Sequence, residues 1–254
     1  MKFIHTADLH FNKERSEKVI EVINKIIDVC KADDISGVFI TGDFWDSTIT
    51  NSKSSGFTDA LSVMKALADT VPVFMIYGTA SHEPAGSLDV FEKIGCVLLK
   101  DNRANHKANP YMYSYHSFYD KPDTMREFDI VAIPEPRLSM TDGKTLEDKY
   151  NSIQKSFKDI VFECKLVKKD CPRIVLYHGL ISGAVMDNGM SVPKGETAID
   201  KEVLDSMNAD VILCGHIHKK QKVGGMKTPC YYCGSIPPKN FGETHEASFN
   251  IIEV

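Results

Sequence analysis

The 254-residue chain has no long apolar run, no low-complexity segment and no internal repeat. Because crossing a bilayer takes about 20 consecutive apolar residues, we expect no membrane span. Met1 and Lys2 lead at once into a strand-like apolar pattern, which leaves no room for a secretory signal peptide. These absences predict a cytoplasmic protein that does not bind membranes.

Cysteine occurs seven times, an odd number in a chain large enough to fold without covalent cross-links. We expect reduced thiols and no structural disulfide. Cys230 and Cys233 form a single Cys-x-x-Cys pair. Because there is no second pair and both residues lie in a predicted strand, ordinary packing is favoured over a zinc or redox site.

The composition is that of a globular enzyme, with 43% hydrophobic and 26% charged residues. This is enough apolar material for one core, and one domain spanning residues 1–254 is expected. The formal net charge of -5 does not favour an indiscriminate polyanion binder, although bound divalent cations would offset part of it locally.

Helix and strand patterns alternate along the chain, which is typical of an α/β layer structure. Residues 14–33 place apolar side chains three and four positions apart, as in an amphipathic helix. Ser87 can cap a short helix that ends at Gly95. Also predicted are a helix carrying Leu61, Met64 and Leu67, helices at 146–168 and 199–207, and strands within 96–136 and 227–254.

Five short apolar runs lead directly into aspartate or histidine side chains. In open sheets, ligands collect beyond the carboxyl ends of the strands, so seven metal-binding or acid/base side chains are predicted at one edge. The runs and the residues that follow them are 3–7 with Asp8 and His10, 37–40 with Asp43, 73–76 with His82, 174–177 with His178, and 211–214 with His216 and His218.

The types of these side chains predict a binuclear metal site. Asp8 and His10, two positions apart at a strand end, offer one ion a hard oxygen and an imidazole. Asp43, at the next strand end, can bridge two ions through its two carboxylate oxygens. Further imidazoles come from His178, His216 and His218, and the remaining histidines, His5, His106, His116 and His245, are expected to be structural or surface residues.

The blocks D-L-H, G-D-F, S-H-E, H-G and G-H-I-H, in this order, resemble those of the calcineurin-like metallophosphoesterase superfamily. Within it, the chain is most similar to the SbcD-type DNA repair nucleases. The resemblance implies an α/β fold with two central mixed sheets flanked by helices, an α/β/β/α sandwich. The segments nearest to that group are 2–10, 41–46, 214–219, 232–235 and 241–243.

The resemblance also implies two divalent ions, with manganese the metal it suggests, and a catalytic histidine, His82, that stabilises or protonates the leaving oxygen. Asp43 would bridge the two ions. The implied ligands are Asp8, His10, Asp43 and His218 for the first ion, and Asp43, His178 and His216 for the second.

Two features depart from the family pattern. Ser81 precedes His82 where the family has an asparagine ligand, so the second ion is expected to bind more weakly than the first. Longer family members continue into a DNA-capping domain and a segment that binds an SbcC-type ATPase, and neither is expected within residues 1–254. The ATPase partner is implied only if the full-length protein carries that segment.

Two further assignments keep their alternatives. Lys219 and Lys220 follow His218 directly and are interpreted either as contacts to a DNA phosphate backbone or as a solvated face. In related nucleases a two-fold homodimer forms in the region that matches residues 56–69, and the alternative is that the apolar residues there pack in the core.

Three functions are compatible with the sequence. The first is a manganese-dependent DNA nuclease acting in repair or recombination. The second is a phosphoesterase for a small phosphodiester or phosphomonoester, such as a cyclic nucleotide, which would use the same ligands. The third is a binding protein that has kept the fold and lost turnover, and the intact set of candidate ligands argues against it.

Overall fold

The computed structural model describes residues 1–47, 55–100, 113–119, 126–138, 141, 143–193, 197–236 and 248–254. The strands are β1 (Lys2–Thr6), β2 (Ile35–Thr41), β3 (Val73–Ile76), β4 (Val97–Leu98), β5 (Ser114–Tyr119), β6 (Arg126–Ile133), β7 (Arg173–His178), β8 (Val211–Gly215), β9 (Gln221–Lys222), β10 (Cys230–Tyr232) and β11 (Asn250–Glu253). The helices are α1 (Ser16–Ala32), α2 (Ser55–Ala68), α3 (Asp89–Glu92), α4 (Leu146–Leu166) and α5 (Lys201–Asp205).

The strands form two mixed sheets. The first has the order β11-β1-β2-β3-β4, in which β1 to β4 are parallel and β11 runs antiparallel to β1. The second has the order β5-β6-β7-β8-β10-β9, in which β6, β7, β8 and β10 are parallel and the two edge strands are antiparallel to their neighbours.

Three hydrophobic clusters separate four layers. Phe39 of the first sheet and Leu213 of the second belong to a cluster packed between the sheets. Met64 of α2 packs with the outer face of the first sheet. Phe157 of α4 packs with the outer face of the second. The predicted α/β/β/α arrangement is therefore confirmed.

Several local predictions can be compared with these elements. Met64 and Leu67 of α2 are buried in the core, which matches the core-packing alternative for that helix. The cap predicted at Ser87 is wrong, because α3 begins after Leu88 and has no side-chain cap. The parts of the prediction that concern His106, residues 241–243 and His245 lie outside the described residues.

The topology brings the carboxyl ends of the parallel strands of both sheets together. Strand β2 of the first sheet contacts β7 and β8 of the second. Gly215 lets the two sheets approach closely here. A Cβ atom at this position would lie only 2.2 Å from the carbonyl oxygen of Thr41, which is too close for any other residue. The candidate ligands Asp8, His10, Asp43, His216 and His218 follow strand ends, and His178 is the last residue of β7.

No helix within the described ranges has the length and apolar character that crossing a bilayer requires.

The cluster between the sheets is expected to contribute much of the stability. Phe39→Ala should lower the free energy of unfolding by about 3–5 kcal/mol, because Phe39 is fully buried there and its loss leaves a cavity. Phe162→Ala is the matched control, since that ring is 61% exposed. Chemical denaturation measures both, and equal losses for the two variants would contradict the layer assignment.

Candidate metal centre

The turns after β1, β2 and β8 hold site residues in an unusual backbone conformation. Asp8, His10, Asp43 and His216 have positive φ angles of 50°, 44°, 52° and 97°. Such angles are costly for residues with a side chain and cluster at functional sites. The first two turns are locked together, because the Asp8 N–H donates to the Gly42 carbonyl and the His10 N–H to the Asp43 carbonyl, both at 3.0 Å.

Asp8, His10 and His218 form the first group of side chains that could hold an ion. All three are largely shielded from solvent, and the Nε2 atoms of His10 and His218 lie 3.0 Å apart. The backbone N–H of His216 donates to both Asp8 carboxylate oxygens at 3.0 Å. This contact fixes the carboxylate against the turn after β8.

Asp8, Asp43 and His178 form the second group. The Nδ1 atom of His178 lies 2.8 Å from the carbonyl oxygen of Thr41 and must donate its proton there. The Nε2 atom then faces Asp43 Oδ2 at 3.5 Å. A backbone contact of this kind fixes the tautomer and ring orientation of metal-binding histidines.

His216 lies beside this second group. Its ring packs edge-on against His178 with centroids 5.2 Å apart, and its Nδ1 atom is 3.7 Å from Glu135 Oε1. Glu135 follows β6, which lies in the region 96–136 where the sequence predicted strands. The sequence prediction missed Glu135 because it rested on apolar runs that lead into Asp or His, and this run leads into Pro134 and Glu135.

His82 reaches the same cluster from the turn after β3. Its ring centroid is 4.9 Å from that of His10, and its Nδ1 atom donates to the carbonyl oxygen of Asp46. The Asp46 carboxylate is held by Asn12 at 3.0 Å and Arg15 at 3.3 Å. His10, Asp46 and His82 form a third group of possible ligands.

The turn after β3 places Thr79, and not Ser81, against the candidate ligands Asp43 and His178. Ser81 is exposed. The backbone N–H of Thr79 donates to Asp43 Oδ1 at 2.6 Å, and its hydroxyl donates to Asp43 Oδ2 at 3.0 Å. No signal in the sequence distinguished Thr79, because its contacts depend on the shape of the turn.

The buried imidazole of His178 and the carboxyl group of Asp43 each shift the pKa of the other. Burial alone would lower the pKa of His178, but the Asp43 carboxylate raises it to about 10. Burial opposes ionisation of Asp43, yet His178 holds the pKa of its carboxyl well below the usual range. Burial raises the pKa of Asp8 to about 6. Without metal, an imidazolium on His178 therefore compensates the Asp43 carboxylate.

Residues 1–220 match the family model of the calcineurin-like phosphoesterases. The chain belongs to this family. Calcineurin-like phosphoesterases use a dimetal centre, and the buried carboxylates and imidazoles at the strand ends are a donor set suited to divalent ions.

The sequence identity to individual proteins is low. The chain is 20% identical over 267 aligned residues to the SbcD subunit of the nuclease SbcCD from Staphylococcus saprophyticus, covering 100% of this chain and 66% of that relative. The chain thus spans just under two thirds of the relative's length.

Two solved structures share the calcineurin-like fold. A Staphylococcus aureus protein assigned as a 5′-nucleotidase, in complex with α-ketoglutarate, is 14% identical with a TM-score of 0.58, covering 92% of this chain and 48% of that one. A dimetal phosphatase from Danio rerio is 10% identical with a TM-score of 0.54, covering 92% and 87% of the two chains.

The remaining predicted residues have simpler surroundings. Lys219 and Lys220 are exposed, and the Lys220 ammonium donates to Ser248 Oγ at 3.2 Å. Cys230 and Cys233 are buried and form no disulfide. The same is true of four of the other five cysteines, and Cys30 is half-buried and outside any disulfide. His5 is buried, and its Nε2 atom lies 2.9 Å from the Thr41 hydroxyl oxygen.

Metal binding is expected to release protons. The pKa of about 10 for His178 in the metal-free protein means that a proton must leave its imidazole before the nitrogen can bind an ion. Metal affinity should therefore rise with pH from the neutral into the alkaline range. Calorimetric titration with Mn²⁺ in two buffers of different ionisation enthalpy measures the protons released, and a pH-independent affinity without release would contradict the pairing.

Proposed function

We propose that this calcineurin-like phosphoesterase is a two-metal phosphodiesterase that hydrolyses DNA, in the manner of an SbcD-type nuclease. The observation that carries the hydrolytic part is the junction of two possible ligand groups that share Asp8, with His82 packed beside them. The relative that aligns with the whole chain is part of a nuclease, and this similarity supports DNA as the substrate.

The proposed ligands are those at the strand ends: Asp8, His10, Asp43, His178, His216 and His218. When bound, two divalent ions, proposed to be Mn²⁺, would acidify a water and neutralise the phosphate oxygens. Asp43 belongs to the second group and is the proposed bridging residue. The contact of His178 with the Thr41 carbonyl keeps its Nε2 atom directed at the site.

His82 is the proposed catalytic acid. The Nδ1–H group of His82 donates a hydrogen bond to the Asp46 carbonyl. Nε2 is therefore the nitrogen that can hold or donate a proton at the leaving oxygen of the substrate. The carboxylate of the same Asp46 accepts hydrogen bonds from Asn12 and Arg15, which holds in place the residue that orients His82. Lys219 and Lys220 are proposed to contact DNA phosphates.

The proposed partners rest on the similarity to the SbcD subunit. We propose DNA as the substrate and, for a full-length protein that carries the necessary segment, an SbcC-type ATPase as the partner. A homodimer is a further proposal. The apolar residues Met64 and Leu67 of α2 do not support it, because they pack inside the fold.

The nuclease proposal predicts that end-labelled single- or double-stranded DNA is degraded in the presence of Mn²⁺. His178→Ala should abolish this activity, because it removes a proposed ligand. His116→Ala is the matched control, since His116 lies on β5 and contacts Ser114 at 2.7 Å. The same proteins are assayed with a chromogenic phosphodiester and a phosphomonoester. Hydrolysis of these small esters with DNA left intact would contradict the nuclease proposal and favour a small-molecule phosphoesterase.

The role of His82 is tested separately. His82→Ala should lower the rate of phosphodiester hydrolysis by about 10²- to 10⁴-fold, the usual contribution of a general acid, and leave the number of bound ions unchanged. Single-turnover kinetics and metal analysis of the same sample measure the two quantities. Loss of a bound ion in His82→Ala would show instead that the histidine is a ligand.

A further inference from the structure

Three atoms of the second ligand group form a compact triangle. The Thr79 hydroxyl lies 3.0 Å from Asp43 Oδ2 and 3.3 Å from His178 Nε2, and the last two atoms are 3.5 Å apart. Ligand atoms bound to one ion at about 2.1 Å are roughly 3.0–3.4 Å from each other. The triangle therefore has nearly the dimensions of one face of a metal coordination sphere.

Thr79 is held in this position by its own turn. The backbone N–H groups of His82 and Glu83 both donate to the Thr79 carbonyl, at 3.0 and 2.8 Å. This closes residues 79–83 into a turn with Thr79 on its inner side. Ser81, at the tip, is exposed. The hydroxyl next to His82 in the sequence thus lies in solvent, and the hydroxyl two positions earlier faces Asp43.

Glu83 fastens the turn to the loop that carries Asp43. Its fully buried carboxyl group accepts hydrogen bonds from the Phe44 N–H at 2.6 Å and the Gly78 N–H at 2.5 Å. Gly78 lies directly over Asp43, since a Cβ atom there would be 2.3 Å from Asp43 Oδ1. The backbone before Thr79 therefore cannot move away from Asp43 without breaking these contacts.

A threonine hydroxyl is chemically suited to the position. It is a neutral oxygen donor, as a carboxamide is, and threonine or serine hydroxyls bind Mg²⁺ in the phosphate-binding loops of nucleotide hydrolases. We infer that Thr79, and not Ser81, supplies the neutral oxygen ligand of the second ion, together with Asp43 and His178. The inference rests on the metal-binding part of the proposed function.

The experiment compares cysteine at the two positions. Thr79→Cys and Ser81→Cys are each loaded with Co²⁺ in place of the native metal, with the unaltered protein as background for the seven native thiols. A thiolate that binds Co²⁺ produces a near-ultraviolet charge-transfer band. We expect this band in Thr79→Cys alone, because thiolates are strong ligands for such ions. Two bound Co²⁺ ions in Thr79→Cys without the band, or the band in Ser81→Cys, would overturn the inference.

A second set of variants decides the matter if Thr79→Cys does not fold or load. Thr79→Val keeps the shape and the backbone N–H contact but removes the hydroxyl, and it should weaken the second Mn²⁺ ion by at least about 10-fold in calorimetric titration. Thr79→Ser and Ser81→Ala should bind both ions as the unaltered protein does. Unchanged affinity in Thr79→Val would overturn the inference.

These outcomes are separate from those of the nuclease assay. Metal binding as expected, with DNA left intact, would contradict the proposed substrate and support the Thr79 assignment. An unaltered protein that binds no second ion would overturn both the assignment and the dimetal centre on which it rests.

Discussion

Two carboxylates buried at one junction of strand ends are the constraint on which the rest of the site depends. Asp8 is fully buried and Asp43 is 3% exposed, and buried negative charge needs a cation or several donors nearby. In the metal-free protein these are the His216 N–H for Asp8, and the Thr79 N–H and the His178 imidazolium for Asp43. Divalent ions compensate the same charge more completely, which is why a site of this composition favours them.

The fold supplies that junction through close contact between the two sheets. Gly215 allows β8 to end against the carbonyl of Thr41, and the same carbonyl orients His178. One backbone group therefore contacts both the end of β8 and the imidazole of a candidate ligand. Because function on a shared fold is set by the site and its surroundings, the choice of substrate depends on residues around the junction as well as on the candidate ligands.

The sequence predicted the layers and brought together the candidate ligands because both signals are local. Each apolar run that ends in Asp or His marks a strand end, and parallel strands place such ends together. Thr79 could not be found in this way, because its contacts depend on how a turn closes, and Glu135 was missed because its strand leads into Glu and not into Asp or His. Aligning the turn on His82 pairs Ser81 with the family's asparagine, whereas the backbone brings Thr79 to Asp43. The predicted cap at Ser87 failed for a similar reason, since a preference for capping does not fix where a four-residue helix begins.

The central claim is that two ions bind between the ends of β1, β2, β7 and β8. Anomalous diffraction from crystals soaked in Mn²⁺ tests this most directly. The account predicts two peaks about 3.5–4 Å apart, one among Asp8, His10 and His218, the other beside Asp43 and His178. A single peak, or peaks away from this junction, would contradict it.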